Sequence, residues 1–241
     1  SEEQQAAAYG TVLQQMKGKR VVIRLLDIGA DKQVPYVKMD REENPVMGRR
    51  GIRFCLEHRD ILMTQLRALL RAARLGKLGI LIPMVVSGEE IHTVRRLLTE
   101  AARELKQEGL AYSDDYELGI MIETPASVVL SPELAREVDF FSIGTNDLTQ
   151  FVMAADRGNP KVGALCQAGN EAVRRMVRIA VDSARQAGIW VDVCGEAAAD
   201  PELTEFLLKI GVRSLSVAPP SLLVIRQRVR QIDLSKRKEG K

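Results

Sequence analysis

Two carboxylates stand where short apolar runs give way to small and polar residues: Glu123 in "IMIETPAS" and Asp147 in "SIGTNDLTQ". If both runs are strands of one parallel sheet, their ends lie about 4.8 Å apart when adjacent and the acids converge. Two hard oxygen ligands with room left for water and substrate oxygens suit Mg²⁺, which rarely takes an all-protein cage. The competing use for either acid is to cap the helix that follows.

Arginines supply the opposite charge. Arg24 lies in the apolar run "VVIRLLDIG", Arg50 in "NPVMGRRGIR" and Arg157 in "AADRGNP". Planar guanidinium groups grip phosphate in a bidentate fashion. A charge inside an apolar strand is costly unless paired, so Arg24 is also a candidate for an ion pair with Asp27. Arg49 and Arg53 read as solvated. One ion pair at about 4 Å is worth only about 1 kcal/mol in water and about 4 near a protein surface, so several cations must converge to hold a phosphate dianion. Cys194, in "VDVCGEAAAD", can shuttle a proton to a ligand beside it or can serve as a small buried hydrophobe.

These residues need elements to hold them. Strand signals at 19–29, 78–86, 116–124, 139–144, 189–196 and 212–218 alternate with helical periodicity. The helix predicted over 58–76 closes at Gly76, and the next begins at Ser87 with Glu90 completing a capping box. Alternation of this kind gives an α/β domain with parallel strands. Arg24, Glu123, Asn146–Asp147 and Cys194 all fall late in a strand or just past it, which favours a (β/α)8 TIM-type barrel over an open sheet. Six strands leave that barrel without its first two.

Composition narrows the function classes. A net charge of +3 argues against nucleic acid, and the basic end "SKRKEGK" reads as a solvated tail. No apolar run of membrane-spanning length occurs, nor does a signal-peptide pattern. Three cysteines without metal or disulfide spacing read as reduced thiols of a cytoplasmic protein. His58 and His92 lie in helical sequence and read as surface or packing residues.

The runs "LLDIGADK", "ENPVMGRRGIR", "IMIETPAS", "EVDFFSIGTNDLTQFVMAADRGN" and "VDVCGE" resemble the C-terminal, phosphoenolpyruvate-binding barrel of Enzyme I, the phosphoenolpyruvate–protein phosphotransferases of the bacterial sugar phosphotransferase system. The likeness runs from about residue 2 to about residue 230. "GTNDLTQ" by itself is similar to pyruvate phosphate dikinase and phosphoenolpyruvate synthase as well. The resemblance implies that Glu123 and Asp147 hold Mg²⁺, that Arg24, Arg50 and Arg157 contact the phosphate, and that Asn146 contacts phosphoenolpyruvate. It implies that Cys194 is the acid that protonates the enolate to pyruvate. It also implies a homodimer, a histidine acceptor on a separate N-terminal domain and the carrier protein HPr beyond it.

The Gly-rich Ser-His loop that bears that histidine does not occur in 1–241, nor does the HPr-docking domain, so the chain reads as a partial barrel domain. "ALCQAGNEAVRRMV" (Ala164–Val177) departs from the family's usual Tyr-, Pro- and His-Pro-containing stretch. Two other classes stay open. One is a different Mg²⁺ barrel enzyme of pyruvate chemistry, of dikinase, synthase or aldol lyase type. The other is a non-catalytic module for dimerisation or regulation.

Overall fold

The computed structural model describes residues 1–29 and 39–235. The last three residues of "LLDIGADK" and the basic tail after Ser235 lie outside the described residues. Two compact units, Ser1–Met121 and Ile122–Lys241, divide the chain.

The first unit opens with α1 (Glu2–Gln15), capped by Ser1, whose hydroxyl accepts from the Gln4 amide at 3.3 Å. Then come β1 (Val21–Arg24), α2 (Ile52–Glu57), α3 (Arg59–Ala73), β2 (Leu78–Ile82), α4 (Gly88–Gln107) and β3 (Tyr116–Ile122). β1, β2 and β3 pair in parallel, with Val21 opposite Leu78 and Leu78 opposite Tyr116. β2 is buried at every position, as befits a strand of a parallel sheet covered on both faces. The expected cap of α4 is present: the Glu90 carboxylate reaches back to accept from the Ser87 amide at 2.7 Å.

Two boundaries differ from the sequence expectation. β1 spans four residues instead of running to Gly29. Leu25 still donates to the Leu81 carbonyl at 2.9 Å, but the Leu26 amide turns to the side-chain oxygen of Gln65, also at 2.9 Å. Gln65, on α3, donates back to the Arg24 carbonyl at 3.2 Å and to the Tyr9 hydroxyl at 3.3 Å. One buried amide thus stands in for a neighbouring strand. The second difference is Gly76, which does not close α3: the helix stops at Ala73 with Arg74 in right-handed conformation. A Cβ on Gly76 would lie 3.1 Å from the Leu13 carbonyl, so this glycine admits the end of α1.

The second unit carries α5 (Pro125–Val129), α6 (Ser131–Leu134), β4 (Phe140–Gly144), α7 (Thr145–Val152), α8 (Glu171–Ala187) and β5 (Trp190–Cys194). It ends with α9 (Glu196–Ala199), α10 (Pro201–Ile210), β6 (Ser214–Leu215) and α11 (Leu222–Arg230). β5 pairs in parallel with β4 and β6. Local chemistry sets the helix ends. Asn170 caps α8 and Gly188 stops it at φ 77°; Asp200 and Pro201 start α10 and Gly211 stops it at φ 109°. A buried hydroxyl pair, Ser131 and Ser183 at 2.8 Å, ties α6 to α8. Among the described residues each unit carries three strands paired in parallel, and strands alternate with helices throughout, an α/β fold of the (β/α) barrel type.

Gln65→Leu keeps the volume but strands the Leu26 amide and the Arg24 carbonyl. We expect a loss of about 2 kcal/mol, the cost of burying unsatisfied backbone groups. Urea unfolding should show a lower midpoint at unchanged slope, and an unchanged midpoint would remove Gln65 from this role.

Candidate functional site in the βα turns

In the second unit the turn after β4 and the turn after β5 are clasped together. Thr145 donates through its hydroxyl to the Cys194 carbonyl at 2.7 Å. The Glu196 amide donates to the side-chain oxygen of Asn146 at 2.8 Å. Gly195, between them, has φ 86°, and a Cβ there would fall 2.7 Å from both Asn146 Oδ1 and Thr145 Oγ1. Only glycine fits, on backbone and on contact grounds. The clasp fixes Asn146 at the start of α7 and Cys194 at the end of β5.

Asp147 lies in the first turn of α7 and is buried, with its side chain 10% exposed. Its Oδ1 is 3.1 Å from Nη1 of Arg157. Gly144 holds the N-cap position of α7, and the capping alternative for Asp147 gives way to this ion pair; the first-turn location also favours a negative charge. Arg157 is placed by its backbone, whose amide donates to buried Gln150 at 3.0 Å. Gln150 was not singled out from the sequence, although it ends the "GTNDLTQ" run.

Glu123 is 1% exposed at the end of β3. It does not cap α5. Thr124 does, accepting from the Ser127 amide at 3.0 Å. Both acids are therefore buried oxygen donors that helix capping does not consume, which fits the hard-ligand chemistry expected of them. No cluster of three or more His, Cys, Asp or Glu suited to a metal occurs among the described residues, so any such site would draw on two carboxylates and the ligand.

A cavity of about 200 Å³ opens beside the clasp, lined by Thr145, Asn146, Thr149, Arg157, Cys166 and Glu196 among others. It is below the ~300 Å³ lower end for drug-sized ligands and suits a small molecule. Cys166 and Ala168 of the divergent 164–177 segment line it, so that segment does reach this cavity. Cys166 is anchored by its thiol on the Ala155 carbonyl at 3.2 Å.

In the first unit Arg24, Asp27 and Arg50 form a charge cluster. Arg24, expected inside an apolar strand, has a side chain 42% exposed, whereas that of Arg50 is 3% exposed. Arg24 lies 3.3 Å from Asp27, while Arg50 grips the same carboxylate at 2.7 and 3.2 Å. Apolar neighbours in sequence do not bury Arg24, because alternate residues of β1 face the more open side. Cys55 is buried nearby, its thiol pushed up to about 12 by burial and then by the Asp27 charge. Arg49 is exposed, as expected, and pairs with Glu57; Arg53, expected to be solvated, is half-buried and holds the Met47 carbonyl at 2.8 Å.

Residues 1–234 match the family described as PEP-utilising enzyme, PEP-binding domain. The chain belongs to this family. It is 46% identical over 232 residues to the phosphoenolpyruvate-protein phosphotransferase of Bacillus sp. (strain S), covering 96% of this chain and 40% of that protein. It is 46% identical over 239 residues to the namesake of Staphylococcus carnosus (strain TM300), covering 99% and 42%. The chain thus spans about two fifths of the curated relatives it matches. Among solved structures, pyruvate kinase from Pyrobaculum aerophilum aligns at TM-score 0.50 and 17% identity, over 71% of this chain and 39% of that one, a likeness of fold.

One member of this PEP-binding domain's sheet was missed by sequence reasoning. Asp192, two residues before Cys194 on β5, is buried and accepts from Ser142 at 2.8 Å. Burial raises its pKa above the usual carboxylate value, against the lowering effect of hydrogen bonds from Ser142 and Ser214. The folded state therefore holds a proton that the unfolded chain releases at about pH 4. Its contribution to stability is complete below that pH and declines as pH rises through the folded-state value. Asp192→Asn should gain on the native chain across this window in pH-dependent urea unfolding; a difference that does not vary with pH would contradict the raised value.

Proposed function

We propose that this chain is the phosphoenolpyruvate-binding part of a phosphoenolpyruvate–protein phosphotransferase. In this reading it supports phosphoryl transfer from phosphoenolpyruvate to a histidine on a separate N-terminal domain and releases pyruvate, the first step of the sugar phosphotransferase system. HPr receives the phosphoryl group next, and the working form is a cytoplasmic homodimer. The observation that carries the proposal is the clasp of the β4–α7 and β5–α9 turns beside a small polar cavity. The clasp holds Asn146 and Cys194 at the ends of neighbouring strands, Asp147 follows Asn146 and pairs with Arg157 from the loop after α7, and the names of the relatives agree with the reading.

Asn146 keeps amide N–H groups for a ligand oxygen while its carbonyl oxygen is held by Glu196. Arg157, with a side chain 43% exposed, has charge to offer a phosphate, as has Arg24. Arg50 is the third phosphate contact in this reading, supporting the anion from its pairing with Asp27. Glu123 and Asp147 would hold Mg²⁺, which supplies charge neutralisation and Lewis acidity at the phosphate when bound. Phosphoryl transfer asks mainly for positioning and charge stabilisation, and these side chains provide both. Once the phosphoryl group has left, the enolate takes a proton at its methylene carbon from the Cys194 thiol.

Asp147→Ala should weaken Mg²⁺-dependent binding of phosphoenolpyruvate by about a hundredfold, about 2.7 kcal/mol, in titration calorimetry. Unchanged affinity would sink the metal role. Cys194→Ser should bind phosphoenolpyruvate as the native chain does but incorporate solvent deuterium into the pyruvate methyl group at least about a hundredfold more slowly, the usual worth of a general acid. Normal incorporation would dismiss Cys194 as that acid.

A further inference from the structure

The face of the sheet that carries Cys194 also carries the buried carboxyl of Asp192 between two hydroxyls. Its register partners are Ser142 on β4 and Ser214 on β6. Ser142 Oγ lies 2.8 Å from Asp192 Oδ1 and 3.7 Å from Cys194 Sγ, so one hydroxyl touches both the acid and the thiol. Ser214 Oγ lies 3.5 Å from Asp192 Oδ2. One layer further back on the same face, Phe140 stacks on Trp190 with centroids 4.3 Å apart. Packing against that apolar layer gives no reason for a carboxyl at 192.

We propose that Asp192 is a positioning residue that returns a proton to Cys194 through Ser142. This rests on Cys194 as the acid of the proposed reaction, which spends the thiol proton once per turnover and needs it replaced.

The step balances as a proton transfer. The enolate electron pair forms the new C–H bond of pyruvate as the Cys194 S–H bond breaks, leaving a thiolate. The Ser142 hydroxyl passes its proton to Sγ while taking the proton of the Asp192 carboxylic acid. Asp192 is left as a carboxylate, able to accept from both Ser142 and Ser214, and regains its proton from water. Burial raises the pKa of the acid against the lowering effect of the two hydroxyls, the direction that the relay requires. Among the described residues, the groups that act on Asp192 are these two hydroxyls from β4 and β6, and the Cys194 thiol stands beside Ser142 on the same face.

The test compares the full chain with Asp192→Asn, Asp192→Glu and Ser142→Ala. Three measurements are made with Mg²⁺ present: oxalate binding by calorimetry, deuterium exchange into the pyruvate methyl group by NMR from pH 6 to 9, and iodoacetamide alkylation of Cys194 against pH by peptide mass spectrometry. Asp192→Asn should bind oxalate within about twofold of the native chain, exchange about tenfold more slowly, and lose the limb of the exchange profile set by the acid. Its thiol should also titrate at lower pH, because no carboxylate forms beside it. Ser142→Ala should lose exchange to a similar extent with Asp192 in place, and Asp192→Glu should restore part of it. Native exchange rates and profiles in both Asp192→Asn and Ser142→Ala would overturn the relay. If the native chain neither binds oxalate nor exchanges pyruvate protons, the phosphotransferase reading fails by itself. Alkylation then decides: a shifted Cys194 profile in Asp192→Asn upholds the coupling, and an identical one overturns it. If Asp192→Asn alone loses oxalate binding by misfolding, Ser142→Ala decides in its place: slowed exchange upholds the relay, and native exchange overturns it.

Discussion

The placement of the candidate site residues in the second unit depends on two hydrogen bonds between neighbouring βα turns. Thr145 to the Cys194 carbonyl and the Glu196 amide to Asn146 lock the first turn of α7 to the end of β5. Parallel strands bring these ends to the same level but leave their turns free in orientation. The missing side chain at Gly195 lets the two backbones approach closely enough to bond. Asn146, Asp147 and Cys194 are then placed by backbone-anchored contacts, not by long side chains. Such placement loses little conformational entropy when a ligand arrives, because most of the ordering is already done.

The first unit solves a different problem, that of a buried carboxylate. Asp27 has two arginines, and the buried one makes a bidentate bond that an ion needs when water is excluded. Gly51, at φ 57°, has its would-be Cβ 2.8 Å from the Met84 side chain and 3.3 Å from Asp27, so the start of α2 can press on the cluster. Met84 is itself at φ 58°, a rare conformation for a side-chain-bearing residue. The arrangement ranks the arginines. An anion calling on Arg50 must share it with Asp27 in a dry setting, where removing a partner costs about 3–5 kcal/mol. Arg24 is half-exposed, and its bond to Asp27 is worth far less to break.

The sequence made the βα alternation readable because apolar runs of strand length and periodic helices follow each other without ambiguity. It also made Ser87–Glu90 readable as a cap, since both partners lie within one turn. It misplaced Gly76, where the requirement comes from Leu13, more than sixty residues earlier in the chain. It misjudged the burial of Arg24, though not its pairing with Asp27, because an apolar neighbourhood in sequence does not say which face of a strand is covered. The strand-end acids and arginines were visible by type and position. The partners that fix them were not: Gln65 on Arg24's carbonyl, Gln150 on Arg157 and Ser142 beside Asp192 all arrive from distant segments or adjacent turns. Period-two alternation would have put Asp192 and Cys194 on one face, but only strand register adds the hydroxyls that give the pair a meaning.

That register bears on how an acid can serve a site full of anions. A carboxylate in direct contact with an enolate would repel it by about 4 kcal/mol at 4 Å and an effective dielectric near 20. Setting the carboxyl one hydroxyl behind the thiol keeps it out of direct contact with a ligand there, and burial shifts it toward the neutral form. When charge does form on Asp192, two serines are in position to donate to it. In the proposed relay the new negative charge then sits behind Ser142, at the moment when protonation has reduced the enolate dianion to the pyruvate monoanion. A carboxyl at the mouth of the strand would offer a shorter path, but under the proposed reading it would compete with Glu123 and Asp147 for the same cations. In that reading, depth within the sheet separates the acid that would return protons from the acids that would hold the cation.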